Sequence, residues 1–257
     1  MMTKEGLISC IEPIVRQAPQ ILYGSAFPNR QQRMGIYDES WGIHVYQGAS
    51  DFFLGSGEAL NGVDGLDLDF EAEWAIILDT VPRGVTASEA DQYIKMLTAC
   101  NDFTYRKLAC LDKVNGFGFV QSKPLTSFFG RGINPQKHLK LWNKGRPLAE
   151  LEIRLNGILF CMITTSDMLF GFSELVAHCA RTRVLPCGTI ITSGSVSTRG
   201  QQPCSESCIA EKIKKGASDA RFLVSGDEVS MEFFEVGGER EPKSSLFGKL
   251  LNRVTYL

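Results

Sequence analysis

From residue 67 to 78 the chain alternates apolar and acidic positions. Leu68, Phe70, Ala72, Trp74 and Ile76 share one face of a predicted strand, and Asp67, Asp69, Glu71 and Glu73 share the other. Val81-Pro-Arg-Gly84 reads as a turn. Ser88, with Asp91 three residues on, starts a predicted helix over 88–98, and 100–105 is strand-like. Asn156-Gly157 is a type I′ turn signal between alternating segments at 150–156 and 157–163, which predicts a hairpin. Helical spacing over 168–180 puts Leu169, Phe172, Val176 and Ala180 on one side. Segments 188–195 and 221–234 read as further strands, joined by a loop rich in Ser and Gln. A short helix over 3–16 is expected at the start, and 24–51, rich in Gly, Asn, Gln and Asp, reads as a lid-like loop. Strands outnumber helices, so the expected fold class is a β-rich α+β one. With no repeat or clear linker, the expected organisation is a helical segment over 1–20 and a single domain over 21–257.

Composition narrows the partners rather than the fold. Of 257 residues, 44% are hydrophobic and 22% charged, an ordinary globular balance. The formal charge is −2 and no stretch concentrates basic side chains, which excludes an electrostatic footprint for nucleic acid or an anionic membrane. The most apolar segment, 155–172, is broken by Asn156, Thr164, Thr165, Ser166 and Asp167, and so predicts no membrane span. Glu5 and Glu12 interrupt the N-terminus, so no signal peptide is expected there. The scattered cysteines then read as reduced thiols of a cytoplasmic protein, and Cys204 and Cys208, without a second Cys or His pair nearby, as loop thiols rather than a zinc site. A small molecule is the expected ligand.

Glu71 and Glu73 leave one face of the strand about 7 Å apart at the backbone. Two carboxylates that close repel unless a cation sits between them. An oxygen-only set suits Mg²⁺, Mn²⁺ or Ca²⁺ better than zinc. A solvated strand face accounts equally well for the pattern, and spacing does not separate the two.

The surrounding blocks add a resemblance. Glu71-Ala-Glu73, followed by Asn101-Asp102, resembles the metal-binding signature of the fumarylacetoacetate hydrolase family. Tyr46-Gln-Gly-Ala-Ser-Asp-Phe-Phe-Leu-Gly55, Gly116-Phe-Gly-Phe-Val-Gln-Ser-Lys-Pro124 and Ile190-Ile-Thr-Ser-Gly-Ser-Val-Ser197 are similar to further blocks of its bacterial branch, in order. Leu175-Val-Ala-His178 and Cys208-Ile-Ala-Glu211 match weaker ones, and the N-terminal domain of longer members has no counterpart. The resemblance implies a mixed β-roll core with flanking helices, a homodimer, and metal-dependent C–C hydrolysis of a β-diketo or 2-keto acid. Glu71, Glu73 and Asp102 would hold the metal, with Mg²⁺ first. Lys123 would stabilise developing oxyanion charge. Tyr46, Arg106, Gln121, Ser195 and Glu211 would face substrate. His178 is then structural, and His138, in a polar stretch, is expected to be exposed.

One departure qualifies the expected reaction. Relatives carry a water-activating histidine and a glutamate in the lid, in a stretch like Gly-Ser-Ala-Tyr-x-Asn-His-x-Glu. Here Gly24-Ser-Ala-Phe-Pro-Asn-Arg-Gln-Gln32 puts Arg30 and Gln32 at those places. A guanidinium stays protonated and takes no proton from water. Three readings stay open. His44, Asp38 or Glu39 supplies the base from the same lid. Alternatively, tautomerisation, decarboxylation or hydration replaces hydrolysis, with Arg30 and Gln32 binding substrate. In the third, the chain binds metal and a ligand or partner without turnover.

Overall fold

The computed structural model describes residues 7–8, 11–27, 42–48, 52–116, 118–138, 140–198, 205–237 and 245–256. Arg30, Gln32, Asp38, Glu39 and Cys204 lie outside them. In chain order, β1 (Leu7–Ile8), α1 (Glu12–Val15), β2 (Ile21–Gly24), β3 (Val45–Gln47), β4 (Phe53–Leu54) and β5 (Ala59–Gly62) precede the acidic segment. That segment forms β6 (Leu68–Asp69) and β7 (Ala72–Leu78), followed by α2 (Ala87–Ala90), β8 (Ile94–Asp102), β9 (Thr104–Tyr105) and α3 (Arg106–Asn115). Short strands β10 (Thr126–Phe128), β11 (Gly132–Ile133), β12 (Trp142–Asn143) and β13 (Arg146–Pro147) lead into β14 (Glu150–Leu155) and β15 (Ile158–Thr164). Then come α4 (Phe172–Cys179), β16 (Ile190–Ser195), α5 (Ile209–Lys214), β17 (Glu228–Phe234) and β18 (Leu250–Tyr256).

Nine strands form a mixed sheet whose main path is β1-β11-β8-β7-β16-β2-β3, with β10 joining β4 to β8. Five more form a second sheet, β15-β14-β17-β18-β5. This is the expected α+β fold with a mixed, curled β core and a few helices. Trp74 of β7 packs on Phe233 of β17 at 4.4 Å between ring centroids and on Phe247 at 6.0 Å, so the strand's apolar face joins the two sheets in one core. Its other face carries Ala75 and Ile77 into a smaller cluster with Tyr23, Phe53, Met96 and Cys100. Among the described residues no helix is long and apolar enough to cross a membrane.

The expected hairpin forms where local chemistry decides. Asn156 and Gly157 both have positive φ (53° and 77°), which a type I′ turn requires, and β14 pairs with β15. Several expectations fail, among them the following. Of the helix expected over 3–16, the described residues show only α1, with β1 paired to β11 before it. The helix over 88–98 stops at Ala90, since Ile94 onward is drawn into a ladder with β7. Its start is Thr86, whose N–H donates to Glu89 Oε2 at 3.1 Å, not Ser88. The helix over 168–180 begins at Phe172, after Arg146 has taken the carbonyls of Met168 and Leu169. Within 24–51, residues 45–47 are not loop but strand β3, paired with β2.

Candidate metal centre

Antiparallel pairing of β7 with β8 builds the site. Ala72 faces Asn101 and Glu73 faces Cys100, and Asp102 N–H donates to the Glu71 carbonyl at 2.8 Å. Side chains directly opposite share a face, as do those two apart. Glu71, Glu73, Cys100 and Asp102 therefore project together. Carboxylate oxygens of Glu71, Glu73 and Asp102 lie within 4.8 Å of one another, and the three residues are 3%, 1% and 0% exposed. Such burial excludes the solvated strand face.

Each carboxylate is separately held. Asp102 Oδ1 accepts from Thr126 Oγ1 (3.0 Å), which also pairs with the Tyr23 hydroxyl (2.6 Å). Tyr46 donates to Asp102 Oδ2 at 3.3 Å, its ring stacked on Tyr23. Glu73 Oε2 accepts from Gly194 N at 3.1 Å. Gly194 has φ 76° and lies so close to the strand below that an added Cβ would sit 2.6 Å from the Gly24 carbonyl, so only glycine presents that N–H. Glu71 N donates to Asn101 Oδ1 at 3.0 Å. Lys123 Nζ lies 2.5 Å from Asp102 Oδ2, 2.9 Å from Glu71 Oε2 and 2.7 Å from Thr104 Oγ1.

The charges do not balance. Four buried carboxylates (Asp69, Glu71, Glu73, Asp102) face the buried Lys123 and the half-buried Arg106, leaving a formal net −2 when all are ionised. Burial, with Asp102 and Glu71 adding to it against Lys123, pushes the Glu73 carboxyl well above its ordinary value. Burial also raises Asp102, although Lys123 opposes it. At Lys123 burial disfavours the ammonium, but Asp102, Glu71 and Glu73 outweigh it and hold the amine protonated above its usual value. A divalent cation would close that deficit, and the donors, all carboxylate oxygens, fit a hard ion such as Mg²⁺, Mn²⁺ or Ca²⁺. Ser195 adds a second sign of fit. On β16 it pairs with Glu73 of β7, is 2% exposed, and its hydroxyl has no hydrogen-bond partner among the described residues.

Other expected site residues are placed as follows. Arg106 spends its guanidinium on Asp69 and Glu71. Glu211 is buried at the start of α5, where its Oε2 accepts from Ser207 N at 3.0 Å. Gln121 is exposed, as are His44 and His178. His138 is half-buried rather than exposed, and its backbone N–H donates to the Pro135 carbonyl. None of these histidines joins the carboxylate cluster. Cys208 is buried beside Glu211, its sulfur 3.6 Å from Oε2. Sequence reading misses Thr104, Thr126 and Tyr23, which carry no local signal, and Asp69, which it places on the acidic face without giving it a role.

Several known proteins are similar to this chain in sequence or in fold. Oxaloacetate tautomerase YisK of Bacillus subtilis is 25% identical over 170 residues, 66% of this chain and 50% of that protein. Mitochondrial oxaloacetate tautomerase FAHD1 of Bos taurus is 25% identical over 169 residues, 63% of this chain and 71% of that one. The chain thus spans about half the length of YisK and of the archaeal relatives it matches next. Fumarylpyruvate hydrolase from Pseudomonas aeruginosa, solved with Mn²⁺ and pyruvate, superposes with a TM-score of 0.69 at 13% identity, covering 93% of this chain and 91% of that one. The family model for the fumarylacetoacetate (FAA) hydrolase C-terminal region matches residues 21–255, and the chain belongs to the fumarylacetoacetate hydrolase family.

Proposed function

We propose that this chain is a divalent-metal-dependent enzyme that interconverts the keto and enol forms of a 2-oxo acid at Glu71, Glu73 and Asp102. The observation that carries the reading is three buried carboxylates whose oxygens lie within 4.8 Å of one another, a formal deficit of −2 when ionised, with an ammonium already seated against two of them. When bound, the metal supplies Lewis-acid stabilisation of negative charge on a substrate oxygen. Lys123 donates to the oxygen on which charge develops. In the enol-to-keto direction one proton leaves the C2 hydroxyl and one joins C3; Lys123 Nζ delivers the second and is reloaded by the first. Ser195 offers its unused hydroxyl to a substrate oxygen. Tyr46 and Thr126 fix Asp102 so that it does not turn away.

Tautomerisation needs no activated water, and that decides its rank. Hydrolysis of a C–C bond releases an enolate that the same groups would stabilise, so it stands second. It needs a base for water, and Arg30 and Gln32 stand at the places where the resemblance puts that base and its helper. The relatives named as oxaloacetate tautomerases support this order, with a homodimer expected alongside. The test follows enol oxaloacetate by its ultraviolet absorbance with Mg²⁺, Mn²⁺ or chelator, while pyruvate release from acylpyruvates is assayed in parallel. Metal-dependent loss of the enol, abolished in Lys123→Ala, is expected. Bound metal without acceleration of either reaction would overturn the reading.

A further inference from the structure

Asp69 lies two residues before Glu71 and is fully buried, yet it does not reach the carboxylate cluster. Its Oδ1 accepts from Phe70 N (2.8 Å) and Ile209 N (2.8 Å), and its Oδ2 from Ala210 N (3.0 Å). Amides of the next residue and of the first turn of α5 therefore pin both oxygens. Onto this fixed carboxylate Arg106 sets its guanidinium, with Nε donating to Oδ2 at 2.8 Å and Nη2 in ionic contact with the same oxygen at 2.7 Å but outside hydrogen-bond geometry. The remaining arm, Nη1, reaches Glu71 Oε1 at 2.5 Å. Lys123 meanwhile takes Glu71 Oε2 at 2.9 Å.

A guanidinium is a rigid planar fork, so the group that holds one side dictates where the other points. We infer that Asp69 is a positioning residue of the metal centre: by clamping Arg106 it limits that cation to one contact with Glu71, keeping Glu71 available as a metal ligand. Without the clamp, the fork turns onto Glu71 as a bidentate pair, neutralises it and competes with the metal. Asp69 thus shields one carboxylate from a cation that must stay in the site. The inference rests on the metal reading above and adds a residue that reading does not use.

Mn²⁺ affinity of the full chain, measured by titration calorimetry, tests it without reference to turnover. Partners that orient a metal ligand cost about 10–100-fold in affinity when removed. Asp69→Asn is expected to weaken Mn²⁺ binding about tenfold or more. Arg106→Gln, which removes the competitor together with the clamp's purpose, is expected to stay within about threefold of wild type, and to restore Asp69→Asn to that level. Arg106→Lys keeps the charge but cannot span both acids, so it should lose about tenfold even if Asp69→Asn fails to fold. A merely structural role gives the reverse order, with lysine milder than glutamine and the double variant no better than Asp69→Asn. That order, or Mn²⁺ binding unchanged in Arg106→Lys, would overturn the inference. Wild type that binds no Mn²⁺ would instead overturn the metal reading and this inference with it.

Discussion

The two faces of β7 are equally buried and held by opposite physics. On one face Trp74 packs between Phe233 and Phe247, with Ala72, Ile76 and Leu78 beside it. Dispersion and lost hydration make that face self-sufficient. On the other, Glu71 and Glu73 end an apolar row with their charges gathered against Asp102 and only partly matched by Lys123 and Arg106. Burying charge without full pairing is costly, so this face is stable only to the degree that cations serve it. One face stabilises the fold for its own sake. The other stores a demand that a ligand meets.

Truncation separates the faces most sharply. Trp74→Ala should lower unfolding free energy by about 3–5 kcal/mol with or without metal, read from chemical denaturation. Glu73→Gln should leave metal-free stability unchanged or higher, because it removes a buried charge held among like charges. The same change should abolish stabilisation by Mn²⁺. In wild type, Mn²⁺ at about a hundred times its Kd stabilises by about 2.7 kcal/mol, or roughly 5–10 °C in Tm; Glu73→Gln should show no such rise.

The pH dependence should carry the same signature at smaller amplitude. Folding raises the Glu73 and Asp102 carboxyls, chiefly by burial, so the folded protein holds their protons more tightly. Their contribution is complete below the ordinary carboxyl value of about 4 and is lost as pH climbs toward the raised values. Metal-free midpoints should therefore decline with rising pH, less so in Glu73→Gln. Asp227, with Arg221 and Asn156 overcoming its burial, falls to about 2 and works the other way, losing its contribution only as pH drops toward that value. Smallest of all, Arg30→His with Gln32→Glu should add weak acylpyruvate hydrolysis without changing Mn²⁺ affinity.

Legibility follows the same division. The alternation of 67–78 is legible because strand period is local, and the residue pattern alone separates the Trp74 face from the Glu71 face. Asn156-Gly157 is legible for the same reason. The segment 94–98 reads as helix yet is strand, because its state comes from partners on β7, some twenty residues away. Helix α3 is absent from the expected elements, although a run of Lys, Leu and Ala closed by Gly116 at φ 71° is a local helix signal. Burial of Glu71 and Glu73 is not legible, since covering the acidic face takes Lys123, Tyr46 and Ser195 from three distant segments. The resemblance, not the spacing, brings those segments together.

Diffraction at the manganese edge from crystals grown with Mn²⁺ tests the central claim most directly. The expected result is one anomalous peak among Glu71, Glu73 and Asp102, with Lys123 Nζ moved off the line between Glu71 and Asp102. No peak there, with Lys123 still bridging the two carboxylates, would contradict it.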